Sequence, residues 1–491
     1  MNRLNEQLKE QLLRRLAMDN PWWVEGKIAN DYSMMPERPY INHFYPMVED
    51  RSIRRAMILM GPRRVGKTVM IYHTIQRLIT SGIEPQKIIY ISIDTPIYSN
   101  TPLEELLNTA LETLKQDGNY EGLFVFFDEI QYLKDWEVHL KSLVDTFRQT
   151  KFVASGSAAA ALRMKSNESG AGRFSDFMLP PLTFYEYLAI LKRDALIIPS
   201  HDEINIPYDA INIDELNKLF IDYINYGGYP EVVFSEKIRA NPTQYIKNDI
   251  IDKVLLRDLP SLYGITDIQE LNKLFMHIAF RSGQEFTYEA LSTNSGIKKD
   301  TIRKYLEYLE AAFLIKIINK IDQRSKLFKR VSSFKIYLTN PTLHCALFSP
   351  IEEGNDLLGA MVETALFAQW VQGEKSSYYY ASWNKGREKG EVDLVWVDLA
   401  TQLAYSAAEI KWSDRYYERP SELVSLQKYL AQNSSIKKVI VTSKSKRGIV
   451  QSDAGRLIFV PAAIYAYWVS DYIYKQRESS MKNKHSSMQE S

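Results

Sequence analysis

At 491 residues, with 45% apolar and 25% charged side chains, the chain has a globular make-up too large for one core, and domains of ~150 residues would make about three. Lys plus Arg (61) and Asp plus Glu (60) nearly cancel, which excludes a global basic field for nucleic acid and leaves only a local patch. Cys345 is the only cysteine, which excludes internal disulfides and multi-cysteine zinc sites and fits a reducing cytoplasm, and the seven histidines show no metal-ligand spacing.

Residues 1–50 read as a helical, aromatic lead-in. Its start is a charged amphipathic helix pattern, without the apolar run and small-residue cleavage site of a signal peptide. From Ala56 the pattern changes. Ala56–Met60, Ile88–Ile93, Leu123–Phe127 and Phe152–Ala154 are short apolar runs. Helical stretches lie between them, near Lys67–Ile79, Leu103–Lys115 and Val138–Thr150. Buried strands alternating with helices predict a parallel sheet covered on both faces.

The first strand runs into Gly61-Pro62-Arg63-Arg64-Val65-Gly66-Lys67-Thr68, which fits G-x-x-x-x-G-K-[ST]. Glycines let backbone N–H groups curl around phosphate oxygens, and the following helix points its positive end at them. Lys67 would reach the β/γ-phosphates, Thr68 would ligate Mg²⁺, and Val69 continues the cradle. Arg64 could touch phosphate, or Arg63 and Arg64 both face solvent. The third strand delivers Asp128 and Glu129 at its C-terminal end, where open α/β sheets bind ligands. Asp128 suits Mg²⁺ coordination and Glu129 suits polarising a water for attack on the γ-phosphate. Ser155 or Ser157, ending the fourth strand, would sense the γ-phosphate or simply turn the chain. Arg173 would bring a positive charge to its own nucleotide or to a neighbouring subunit's in a homo-oligomer, or lie on the surface.

These motifs, the Asp-Glu-Ile-Gln run followed by Trp136, the turn at 155–162 and the segment 172–188 together resemble a prokaryotic AAA-type ATPase family. That family is related to archaeal ATPases of the STAND group. Its members carry a C-terminal domain of unknown function. The resemblance covers about residues 50–190 and implies ATP and Mg²⁺ as cofactors.

Residues 190–212 lack a clear period and read as a connector, and 213–280 as mostly helical. Residues 286–320 hold two helix patterns joined by Asn294-Ser295-Gly296. Ile297, Ile302, Tyr305, Leu306 and Leu309 form a buried stripe, while Lys298, Lys299, Arg303 and Lys304 leave a basic face. Phe313–Ile318 follows as a strand. The order resembles the winged-helix segment of the same family, serving DNA contact or only packing and protein contacts.

Beyond about 332, strands and helices alternate again. Glu363 lies on an apolar helix face, which is costly without a partner. Glu391 and Asp393 share one face of a strand, and Glu409 and Lys411 one face of the next. An Asp on one strand and Glu-x-Lys on the next can gather Mg²⁺, with the lysine orienting water or stabilising charge. The alternative is a structural ion pair of Glu409 and Lys411, with Asp393 and Glu391 capping a turn. The set resembles the PD-(D/E)XK nuclease superfamily over about 335–470, which implies Glu363, Asp393 and Glu409 as metal ligands and Glu409 with Lys411 as catalytic. Glu391-Val-Asp393 replaces the Pro-Asp pair of that pattern.

The expected architecture is therefore an α/β multidomain chain. It comprises a lead-in (1–50), a P-loop ATPase with a parallel sheet (51–200), a helical and winged-helix middle (201–330), a restriction-endonuclease-like α/β domain (331–475) and a disordered polar tail (476–491). The longest apolar stretch, Leu457–Val469, holds Pro461 and falls short of the ~20 residues a membrane span needs. The expected function is a cytoplasmic ATPase that couples nucleotide state to DNA binding or cleavage. The alternatives are a STAND-like switch with a non-catalytic nuclease fold, and a DNA-stimulated motor or loader.

Overall fold

Runs of β-branched and aromatic residues place five parallel strands in one sheet. The structure, a computed structural model, describes residues 2–99, 101–116, 118–157, 172–201, 206–326, 333–370, 377–385 and 388–489. They divide into two compact units, Met1–Pro180 and Pro181–Ser491.

In the first unit, β1 (Ala56–Met60), β2 (Ile88–Ser92), β3 (Phe124–Asp128), β4 (Lys151–Gly156) and β5 (Phe174–Met178) lie in the order β2-β3-β4-β1-β5. Every pairing is parallel. β1, β3 and β4 are buried along their whole length, as covering on both faces demands. β5 does not announce itself in the sequence, because Ser175 and Asp176 interrupt its apolar run and, among the described residues, one of its edges is unpaired. Helices Lys67–Thr80, Leu103–Thr113 and Trp136–Thr146 match the expected helical stretches.

The lead-in is built into this unit. The Asn20 amide donates to the Tyr90 carbonyl (2.9 Å) and accepts from its N–H (2.7 Å), as a neighbouring strand would. The indoles of Trp22 and Trp23 donate to the Ile88 carbonyl at 2.9 and 2.8 Å. The free edge of β2 is thereby closed.

The second unit begins before the expected border at residue 200, because helix Phe184–Ile190 belongs to its core. The connector contains a small antiparallel ribbon, β6 (Ile197–Pro199) with β7 (Tyr208–Ala210). Helix Ile268–Phe280, β8 (Glu285–Thr287), helices Tyr288–Ser295 and Lys299–Ala311, β9 (Ile315–Ile321) and β10 (Ser333–Leu338) follow in that order. The expected stripe of Ile297, Ile302, Tyr305, Leu306 and Leu309 is buried.

β11 (Tyr378–Lys385), β12 (Glu388–Asp398), β13 (Leu403–Glu409), β14 (Lys438–Ser443), β15 (Gly448–Ser452) and β16 (Gly455–Pro461) complete a sheet of nine strands. Its order is β15-β16-β14-β13-β12-β11-β9-β10-β8. β9 pairs with β10 on one side and with β11 on the other, so the border expected at residue 330 falls inside one continuous sheet. The last helix, Ala462–Gln489, runs through most of the stretch expected to be a disordered tail. A helix already nucleated by its buried first turns extends at low cost into polar sequence. Among the described residues no helix is long and apolar enough to cross a membrane.

Candidate functional site

The turn after β1 is shaped by backbone demands. A Cβ on Gly61 would meet the Leu179 carbonyl oxygen at 2.2 Å, so no other residue fits there without movement. Gly66 (φ 92°) and Arg64 (φ 125°) lie in the region that favours glycine. Strain at a non-glycine residue of a binding loop costs on the order of 1–3 kcal/mol. Pro62 and Val65 are buried, Arg64 is exposed, and Arg63 donates to the Tyr132 hydroxyl at 3.4 Å. Buried Arg38, from the lead-in, donates to the carbonyls of Val65 (2.7 Å) and Pro180 (2.9 Å) and clamps the loop from behind.

Lys67 opens helix Lys67–Thr80, and its ammonium donates to the carbonyls of Gly61 (3.1 Å) and Pro62 (2.9 Å). Thr68 donates to Asp128 Oδ2 at 2.7 Å, which brings the phosphate loop and the acidic strand end together. Tyr90 donates to the same oxygen at 2.9 Å, and the Ser155 hydroxyl donates to Oδ1. Burial, then the adjacent Glu129 charge, holds the Asp128 carboxyl above its ordinary range against these donors.

Glu129 has a left-handed backbone (φ 52°). Its N–H donates to Ser155 Oγ (3.0 Å) and Asp128 Oδ1 (3.1 Å). The Gln131 amide donates to the Glu129 carboxylate and accepts from the Ser157 N–H at 3.2 Å. Gln131 thus ties Glu129 to the end of β4, a role spacing alone did not reveal. Val69, one residue into the helix, completes the set of loop residues.

These residues fit ATP with Mg²⁺. The glycine turn admits close approach of phosphate, Lys67 supplies a buried cation, and Thr68 and Asp128 supply oxygen donors suited to a hard divalent ion. Arg173 does not join them. It precedes β5 beside Ala56, at the opposite end of the strands from the loop, and its guanidinium pairs with Asp145. Its expected action on its own chain's nucleotide is therefore corrected. The expected turn at 158–162 lies outside the described residues.

A second cluster forms in the other unit. Glu363 on helix Leu358–Trp370, Glu391 and Asp393 on β12, and Glu409 and Lys411 at the end of β13 come together. Lys411 Nζ lies 2.8 Å from Glu409 Oε1 and 3.6 Å from Asp393 Oδ2. Lys335 of β10, absent from the sequence reading, stands among the acids. Its ammonium is 2.6 Å from Glu391, 3.1 Å from Glu363 and 3.8 Å from Asp393. Tyr337 donates to Glu363 Oε1 at 2.5 Å, and the Ile410 N–H donates to Asp393 Oδ2 at 2.8 Å.

Burial opposes the charge on Lys335, but Glu363, Asp393 and Glu391 together hold its ammonium well above the usual lysine range. Burial, then the Asp393 charge, pushes Glu409 up to about 7 against the pull of Lys411. Glu409 Oε2 is buried and has no hydrogen-bond partner among the described residues. Among the described residues no three acidic, histidine or cysteine side chains are arranged to hold a metal ion. Of the expected metal set, Glu363 and Asp393 instead hold Lys335 while Glu409 pairs with Lys411, so as arranged it does not fit a metal.

Residues 53–188 match a family described as AAA domain, and residues 217–353 match a domain of unknown function (DUF8612). The second match covers the middle of the chain and stops before Asp393, Glu409 and Lys411. An uncharacterized protein of Haemophilus influenzae is 22% identical over 412 residues, covering 82% of this chain and 92% of its own. One of Methanocaldococcus jannaschii is 23% identical over 411 residues, covering 82% and 85%. Among solved structures, the Aeropyrum pernix Orc1 protein in complex with DNA is 11% identical, with a TM-score of 0.32, covering 66% of this chain and 95% of that one. Cdc6p from Pyrobaculum aerophilum is 15% identical, with a TM-score of 0.28, covering 65% and 97%. Likenesses this slight bear no weight for function.

Proposed function

We propose that the first unit binds and hydrolyses ATP–Mg²⁺, and that nucleotide state controls DNA engagement by the second. The observation that carries the ATP reading is the Thr68–Asp128 hydrogen bond. It joins two motifs 60 residues apart at one point. Gly61–Thr68 cradle the phosphates, with Lys67 turning its ammonium from the loop carbonyls to the β/γ oxygens. Mg²⁺, held by Thr68 and Asp128, would neutralise charge on those oxygens. Glu129 orients the attacking water and accepts its proton at the carboxylate, while Gln131 and Ser155 fix its position.

The DNA-binding surface proposed is the basic face of helix Lys299–Ala311, in a winged-helix arrangement. Lys299 and Arg303 are partnered by Glu289 (2.7 Å) and Asp300 (3.4 Å). Lys298 and Lys304 are exposed and hold no ion pair with any described residue, which leaves them for phosphates. The nuclease-like cluster, closed around Lys335, serves the fold and binding. A second reading, cleavage, is favoured by Glu409 Oε2, which is buried with no hydrogen-bond partner among the described residues.

Phosphate release and plasmid nicking by wild type, Lys67→Ala, Glu129→Gln and Lys411→Ala test this together. Glu129→Gln should keep ATP binding and slow hydrolysis by roughly 10²-fold or more. Unchanged hydrolysis in Glu129→Gln would remove Glu129 from the mechanism. DNA should bind without being cut in Mg²⁺ or Mn²⁺. Nicking that disappears in Lys411→Ala would establish the second reading.

A further inference from the structure

A cavity of about 420 Å³ opens in the first unit among residues 51–55, 121–122 and 144–152. These residues flank the beginnings of β1, β3 and β4, whereas the phosphate loop follows the end of β1. A five-residue strand at ~3.3 Å per residue separates the two places by roughly 15 Å. The cavity therefore belongs to no part of the ATP site.

Its lining is strongly one-signed. Arg51, Arg54, Arg55, Arg148 and Lys151 face a single carboxylate, Glu121. Arg51 is fixed, donating to the Gly122 carbonyl at 2.8 Å with its guanidinium 4.1 Å from the Phe124 ring centre. Lys151 is buried and donates to the Asp50 carbonyl at 2.6 Å. The side chains of Arg54, Arg55 and Arg148 make no hydrogen bond or ion pair with any described residue. The Asp50 carboxylate accepts from the N–H and hydroxyl of Ser52 at 2.8 and 2.6 Å.

Gathering five cations at one mouth against a single lining carboxylate is unfavourable unless an anion completes the site. Arginine forks suit phosphate, and the apolar wall of Val144, Phe147 and Phe152 suits a ligand with a hydrophobic or planar body. The volume lies within the ~300–1,000 Å³ of small-molecule sites. We infer that this cavity binds a small phosphorylated ligand of nucleotide size, with its phosphates on the arginine rim and its body against Phe147.

The test uses the full chain carrying Lys67→Ala, which weakens the phosphate loop. Calorimetric titration with inorganic tripolyphosphate should show one site that weakens with salt. Adding Arg54→Glu and Arg148→Glu should weaken it at least tenfold, and the pair Arg54→Gln and Arg148→Gln less so. In the wild-type background the same arginine changes should leave ATP affinity at the phosphate loop unaltered, which shows that the fold is retained. Adenosine monophosphate binding more tightly than orthophosphate would identify a nucleotide rather than an inorganic occupant. No tripolyphosphate binding to Lys67→Ala, or equal binding after the glutamate changes, would overturn the inference. So would arginine-dependent binding of a single-stranded oligonucleotide without binding of tripolyphosphate, which would make the rim a nucleic-acid contact.

Discussion

Glu409 shows how far one residue's chemistry depends on neighbours that spacing does not reveal. Alternation put Glu409 and Lys411 on one face and Asp393 on the adjoining strand, and all three meet. Lys335 was not legible: it is a lone lysine in a strand of otherwise ordinary pattern, and only the β9–β10 pairing carries it to the acids. Its presence changes the cluster from a metal set to an ion network. Burial has a measurable consequence here. A glutamate at ~4.3 when unfolded and about 7 when folded binds its proton more tightly in the native state. That contribution is fully present below the unfolded value and is lost as pH rises through about 7. Glu409→Gln escapes the loss. The melting temperature of this variant relative to wild type should therefore rise between pH 5 and pH 8, by an amount reflecting on the order of 2–3 kcal/mol. A difference that is flat over that window would mean Lys411 keeps Glu409 ionised throughout.

Elements were legible where a buried strand announces itself by composition. The four apolar runs and the loop after the first are such cases, as is the buried stripe of helix Lys299–Ala311. Two features were hidden because their partners lie far away in sequence. β5 is polar in the middle and becomes a strand only beside β1. The Asn-Pro-Trp-Trp stretch has no strand pattern, yet Asn20 mimics a strand against Tyr90, 70 residues on. This edge cover makes a firm demand. Asn20→Ala would leave both the N–H and the carbonyl of buried Tyr90 without their side-chain partner. Each buried group left unpaired costs about 1–3 kcal/mol. Denaturant unfolding of the variant should show a loss of on the order of 2–4 kcal/mol, with greater aggregation as the β2 edge is exposed. A loss below ~0.5 kcal/mol, the size of an ordinary surface change, would show that the amide does not close the edge.

At the scale of the whole chain, the nine-stranded sheet makes the helix pair at 288–311 and the Glu409 cluster parts of one body. Any DNA held by Lys298 and Lys304 is thus held by the unit that carries Lys335 and Lys411. The ATP site lies wholly in the other unit. Control of one by the other requires a coupling free energy, and such coupling is reciprocal. If ATP tightens DNA binding by some factor, DNA must tighten ATP binding by the same factor. Couplings of this kind typically amount to about 1–3 kcal/mol, or roughly 5- to 150-fold. Glu129→Gln, which should hold ATP without turnover, allows both affinities to be read at equilibrium. Fluorescence anisotropy of a labelled duplex with and without ATP gives one factor, and nucleotide titration with and without duplex gives the other. The two should agree. Lys298→Glu with Lys304→Glu should weaken DNA binding, reduce its salt dependence and leave ATP affinity in the absence of DNA unchanged. If DNA affinity is the same with and without ATP, the two units act independently, and the ATP site governs something other than the basic helix.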